Sequence, residues 1–279
     1  NSSGTSSQID QEVKAHLGNV SLGPQDSSSP VCVAPPSPVW EETLSVYRVH
    51  ADVLRRLEPD LIVTQSQCEV CAVSLKEVER VVSEVFPSRP RIVSLEPRTL
   101  SDVWRDIERV AQALGVPERG QELLTNLSGR IERISRKVRP HRPRPTVACI
   151  EWMEPLMAAG NWMPELVKKA GGRNLFGEPG KHSPRMSWEE LVEKNPELIV
   201  IAPCGFTIER SKKDLPLLVK KNGWATLEAV RNGKVFFVDG NHYFNRPGPR
   251  LVESIEILDE IIHPEVFHWG HRGSGWQKL

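Results

Sequence analysis

The sequence contains no apolar run near the roughly 20 residues that a bilayer-spanning helix requires, so no membrane span is read from it. It has no excess of either charge, with Lys plus Arg and Asp plus Glu numbering 36 each. Phosphate backbones are held by a local cationic excess, and the balance removes the general argument for a nucleic-acid partner. The one basic run, residues 130–144, carries Glu132 and two interior prolines, and reads as a helix end and linker. Five cysteines are too few and too scattered for a disulfide scaffold of this length. A second Cys-x-x-Cys beside Cys68-Glu69-Val70-Cys71 is missing, which leaves zinc without its usual ligand set. Neither a nucleophile elbow nor a phosphate loop occurs, and Gly171-Gly172 closes a helix, the wrong end for a phosphate. These absences point away from an enzyme, a resident metal or a cofactor. The chain opens at Asn1 with no charged-then-apolar leader, so it reads as processed or shortened and its compartment is left open.

What is present is an alternation. Residues 1–45 hold a short helix at 8–17 and a polar Ser- and Pro-rich tract, 18–38, with too little apolar surface to offset chain entropy. From there short apolar runs at 61–64, 91–95, 146–150, 198–202 and 235–238 alternate with helical patterns at 74–85, 100–114, 163–170, 187–193 and 249–262. Strands interleaved with helices define an α/β class with mainly parallel sheets. Pro117 opens a long amphipathic helix running to about Val138, with Leu123, Leu124, Leu127, Ile131 and Ile134 on one stripe, and the following prolines stop it.

An internal echo organises these elements. Leu57-Glu58-Pro59-Asp60-Leu61-Ile62-Val63 is matched by Lys194-Asn195-Pro196-Glu197-Leu198-Ile199-Val200, and each half ends in a strand opened by a basic residue, Arg91 or Lys234. Two similar α/β units on either side of one long helix predict two Rossmann-like lobes with a ligand cleft between them. The expected division is 46–116 for the first lobe, 117–140 for the linking helix, 145–264 for the second lobe and 265–279 for a loosely ordered tail. The second half has an opening strand at 146–150 for which the first shows no counterpart, so a strand and helix are expected to be missing from the first lobe.

Further segments carry a resemblance: Pro59 to Gln65 with Cys68 to Ser74, Ser94-Leu95-Glu96-Pro97, Ala159 to Leu166, Pro203-Cys204-Gly205-Phe206, Val238-Asp239-Gly240-Asn241 and Tyr243 to Arg250. In combination, over residues 47–265, they resemble the class III periplasmic-binding family, the vitamin B12 and ferric-siderophore binding components of ABC importers, in its cobalamin-binding branch. The resemblance implies capture of a corrinoid or metal chelate between rigid lobes, a monomeric protein, an ABC permease as partner, and a periplasmic or cell-surface location. It places Tyr47, Gln65, Cys68 and Cys71 at the rim of the first lobe. Trp152, Asn161, Trp162, Cys204, Gly205, Phe206, His242, Tyr243, Phe244 and Arg246 fall on the second, and Asp52 and Glu189 at the two permease-docking positions. Flat macrocycles suit aromatic faces, which supply area at low entropic cost, and an arginine can meet a peripheral amide or acid.

Two other readings stay open on the residues alone. Cys68 and Cys71, with Cys204, could serve a redox or metal-dependent enzyme. The fold could also persist in an interaction protein that does not transport. His263, His268 and His271 fall in the tail, where a loosely ordered terminus is the expectation.

Overall fold

The computed structural model describes residues 4–9, 11, 49–67, 73–87, 89–138 and 144–279. Most of the expected 8–17 helix and the whole 18–38 tract lie outside them, as do Tyr47, Cys68 and Cys71. Two compact units form, Gln8–Glu96 and Pro97–Leu279, the second joined by the residues before Gln8.

In the smaller unit, helix α1 (Ala51–Leu57) leads through Pro59 into strand β1 (Leu61–Gln65), then helix α2 (Leu75–Val85) and strand β2 (Arg91–Leu95). The strands pair parallel, Leu61 opposite Arg91 and Gln65 opposite Leu95. Ser74 caps α2 by accepting the Glu77 N–H at 3.2 Å. Val78, Val81 and Val82 lie buried on its inner face, and Val93 is buried on β2. The spacing i, i+3, i+4 is what puts those three valines on one stripe.

The larger unit is a three-layer sandwich. Its sheet is built on the parallel strands β3 (Thr146–Met153), β6 (Leu198–Ile201) and β7 (Val235–Val238). Antiparallel β4 (Leu156–Ala158) and the short parallel β5 (Arg173–Asn174) share the outer edge of β3. Alternate residues of the central strands point to opposite faces. Val147, Cys149, Val200, Phe236 and Val238 face one core with the helices α3 (Leu100–Ala113), α4 (Pro117–Val138), α5 (Met163–Lys169) and α10 (Leu251–Ile262). Ala148, Ile150, Ile199, Ile201, Val235 and Phe237 face the other, against α6 (Trp188–Lys194), α7 (Ile208–Asp214), α8 (Pro216–Val219) and α9 (Glu228–Arg231). Burying each such Leu, Ile, Val or Phe contributes about 1.5–3 kcal/mol, so the sheet centre dominates this unit's stability.

The long helix α4 spans Pro117–Val138 as expected, and its Leu127, Ile131, Ile134 and Val138 enter the first core. Helix α3 packs on it closely, since a Cβ on Gly120 would stand 2.6 Å from that of Ala111. Helix α3 is also tied to α5 by the Leu100 N–H donating to Glu165 at 2.8 Å. The unit boundary therefore falls after Glu96, earlier than the 116/117 division the echo suggested, because α3 buries its apolar face in the same core as α4.

The tail is a second correction. Residues 276–278 form strand β8, antiparallel to β7 with Val238 opposite Trp276. The Trp276 indole donates to Glu260 at 2.6 Å, and His271 Nε2 lies 3.1 Å from Glu256. Glu256 also holds Arg130 of α4 at 2.8 Å. A polar-looking terminus thus completes the sheet, because the buried acids of α10 recruit its donors.

Candidate functional site

In the larger unit the carboxyl ends of β3, β6 and β7 lie side by side, the place where open α/β sheets gather ligand loops. Three loops meet there through backbone bonds. The Ala202 N–H donates to the Ile150 carbonyl at 2.8 Å, and the Asn241 N–H to that of Phe206 at 3.1 Å. The Asn245 amide reaches the Ala202 carbonyl at 3.1 Å. Gly240 sits so close to Pro203 that a Cβ would lie 2.2 Å from its carbonyl oxygen, so only glycine permits this approach.

A fourth loop follows β4. Asn161 adopts a left-handed φ of 51°, donates to the Lys181 carbonyl at 2.7 Å and accepts from Gly180 at 3.0 Å. Beneath it, Ser183 accepts the Gly160 N–H at 3.0 Å and donates to Glu151 at 2.7 Å. Burial pushes the Glu151 carboxyl upward, partly offset by Ser183, nearby His182 and the Gly160 N–H. Glu151 is thus a bracket that pins the end of β3 to the Asn161 loop. Nothing in the sequence around Glu151 marks Ser183, 32 residues away, as its partner.

The surface these loops present is mixed. Cys204, Gly205, His242 and Arg246 are exposed, while Trp152, Asn161 and Tyr243 are half-buried. The Arg246 guanidinium is held by Asn241, through Nε to its carbonyl at 3.2 Å and Nη2 to its side-chain oxygen at 3.0 Å. Asp239 accepts the His242 backbone N–H at 2.7 Å and holds its Nδ1 at 2.9 Å. Arg250 lies over the Tyr243 ring at 4.3 Å, and Ser254 donates to the Tyr243 carbonyl at 3.0 Å. Asp239 and Asn241 were quoted in the resemblance without a role; the Asp-x-x-His spacing at the start of a turn was the signal that could have assigned the first.

Three expected wall residues belong to the core instead. Trp162 is 6% exposed and donates its indole N–H to the Phe244 carbonyl at 2.9 Å. Phe244 is wholly buried in the same cluster. Phe206 is buried between Trp152, 5.2 Å between ring centroids, and the Arg210 guanidinium at 4.2 Å. These rings shape the wall from behind, because an aromatic at a strand end gains more from the adjacent core than from a solvated face. Gln65 ends β1 in the smaller unit. Asp52 and Glu189 are exposed acids in the first turns of α1 and α6, each within its own unit.

No catalytic arrangement accompanies this surface among the described residues. The Cys149 thiol is pushed up to about 12 by burial and by Glu151, which removes it from thiolate chemistry. No group of three or more His, Cys, Asp and Glu side chains among the described residues could hold a bare metal ion. A loop wall with anchored polar groups at the carboxyl ends of a parallel sheet defines the class of α/β ligand-binding modules.

The periplasmic binding protein family model matches residues 46–241, and the chain belongs to that family, which makes it a binding protein rather than an enzyme. It is 23% identical to an ABC-transporter substrate-binding lipoprotein of Bacillus subtilis, over 81% of this chain and 69% of that one. It is 25% identical to the vitamin B12-binding protein of Vibrio cholerae over 59% of this chain, and spans 57% of that protein's length. A periplasmic heme-binding protein from Pseudomonas aeruginosa shares the fold with a TM-score of 0.63 at 20% identity, covering 83% of this chain and 78% of that one. An Fe3+-hydroxamate transport protein from Saccharomonospora viridis does so with 0.59 at 18% identity, covering 78% and 73%.

Proposed function

We propose that this chain captures a corrinoid, a cobalamin-like macrocycle, on the wall formed by Trp152, Asn161, Tyr243, His242, Cys204, Gly205 and Arg246, and delivers it to an ABC permease. The observation that carries the reading is the fixed guanidinium of Arg246 on a loop wall that also carries exposed Gly205 and half-buried aromatics. A corrin is a flat disc edged with amides, so it needs an open floor, aromatic area and one clamped polar group at its rim. A guanidinium already tied to Asn241 loses little rotamer entropy on meeting such a group. The similarity to vitamin B12-binding proteins supports the choice among chelates. Asp52 and Glu189 would make the permease contacts, one acid on each unit, from a monomer outside the cytoplasmic membrane.

Titration of the full chain with cobalamin, followed by tryptophan fluorescence, tests this. Saturable quenching is expected, weakened about tenfold in Arg246→Ala, the loss of one charge-assisted bond. A flat response up to millimolar cobalamin would sink the corrinoid assignment, and quenching by a ferric hydroxamate alone would move it to siderophores.

A further inference from the structure

The pairing of Asp239 with His242 has a chemical consequence beyond shape. The carboxylate grips the residue twice, at its backbone N–H, 2.7 Å, and at Nδ1, 2.9 Å. The Asp239 side chain is 10% exposed, whereas that of His242 is 56% exposed. A carboxylate on Nδ1 selects the tautomer with the proton there, which leaves Nε2 with a free lone pair. No described residue hydrogen-bonds to Nε2. The imidazole is therefore oriented from behind, with its donor atom outward, at the carboxyl end of β7.

A second histidine shows what a merely structural pair looks like. His271 also meets a carboxylate, Glu256, but through Nε2 at 3.1 Å and with a side chain only 16% exposed. It rests edge-on to Tyr243 at 6.0 Å and closes the tail onto α10. His242 has no such burden.

We propose that His242 is an axial ligand to the metal at the centre of the bound macrocycle, with Asp239 as its positioning residue. This rests on the macrocycle-binding reading above. The absence of any three-ligand cluster among the described residues fits it, because one imidazole can hold a metal only if a chelate brings that metal already coordinated. The Asn241 N–H bond to the Phe206 carbonyl ties the His242 turn to the loop of exposed Gly205, which offers no side chain to obstruct a planar ring. Binding is a ligand exchange: the Nε2 lone pair forms a bond to the metal and the water occupying that position leaves, with no change of oxidation state. The preferred cargo is therefore a Co(III) or Fe(III) macrocycle with an exchangeable axial position.

The full chain is titrated with aquocobalamin, hemin and cyanocobalamin, the last having both axial positions filled. Fluorescence reports binding and the visible spectrum reports coordination. Expected are band shifts with aquocobalamin or hemin that His242→Ala abolishes, and at least a tenfold fall in the ratio of aquo- to cyanocobalamin affinity. Asp239→Asn should lower that ratio by about 10- to 100-fold, as loss of an outer-shell partner does. Far-UV circular dichroism checks its fold, and the more exposed His242→Gln serves if Asp239→Asn misfolds. Saturable quenching with an unchanged spectrum, or a ratio indifferent to His242, overturns axial ligation while leaving macrocycle capture intact. No quenching by any of the three overturns both.

Discussion

The two echoed stretches invite direct comparison. In each, a seven-residue helix with an acid at its second position ends on a left-handed residue, Glu58 at φ 42° or Asn195 at φ 40°. Each of these donates its N–H to the carbonyl four residues back, and a proline and an acid then lead into a strand. The backbone grammar is the same, yet the burial is not. Every residue of β6 is buried between β3 and β7, and Leu191 of α6 is fully enclosed. Helix α1 buries none of its residues, Leu57 is 69% exposed, and among the described residues β1 pairs only with β2. Local sequence thus sets the turn and the cap, whereas tertiary partners decide how much free energy the element contributes.

The largest expected effect separates the units by pH. Buried Asp259 of α10, with Glu256 and Glu260 beside it, has its carboxyl pushed up to about 8, the Trp269 indole pulling the other way. Burial alone would raise Glu256 too, but bonds from His271 and Arg130 bring it below the ordinary value. A folded pKa above the unfolded one means that the native state holds the extra proton. The stabilisation is complete below about pH 4 and is lost as pH rises through about 8, a swing on the order of 5 kcal/mol. Asp259→Asn should flatten that slope. Seven of the eight tryptophans, 104, 152, 162, 188, 224, 269 and 276, lie in the larger unit, so fluorescence-monitored unfolding reads it selectively. A wild-type midpoint independent of pH between 4 and 8 would show that Asp259 is not the buried acid described.

Much of this fold was legible because apolar runs and helical stripes survive any context. The short continuous apolar runs of β3, β6 and β7 and the stripe of α4 were read directly, with cap residues such as Ser74. Strands β4, β5 and β8 were not, since two or three residues carry no period and owe their conformation to an edge already in place. The wall residues divided in the same way. Position in the chain put Trp152, Trp162 and Phe244 at the ends or beginnings of loops, but whether a ring faces the core depends on partners distant in sequence, such as the Phe244 carbonyl that takes the Trp162 indole. The resemblance, not periodicity, named Arg246 and His242, and the bonds that hold them to Asn241 and Asp239 are supplied by the geometry.

A truncation tests the burial contrast itself. Leu191→Ala should cost about 2–5 kcal/mol, the range for a fully enclosed leucine that leaves a cavity. Leu57→Ala, at the last position of the matching helix, should stay within about 0.5 kcal/mol. Denaturant midpoints followed by fluorescence read the first, and hydrogen exchange across residues 51–65 reads the second. Equal costs would mean that the two helices are packed alike.

The smallest effects should carry opposite signs at the two caps. Glu58 occupies the left-handed region at the end of α1, so Glu58→Gly removes a conformational cost of about 1–2 kcal/mol. It returns part of that through the greater freedom of the unfolded chain, about 0.4–1 kcal/mol, and a net gain of about 0.5 kcal/mol is expected. Asn195 tolerates the same conformation at less cost, and its side-chain oxygen accepts the Glu228 N–H at 2.8 Å, tying the cap to the first turn of α9. Asn195→Gly gives up that bond and should destabilise by about 0.5–1.5 kcal/mol. Hydrogen exchange at residues 51–58 and 188–195 reads the two caps separately. If both substitutions stabilise, the Asn195 bond contributes nothing, and the echoed turns are equivalent in energy as well as in backbone form.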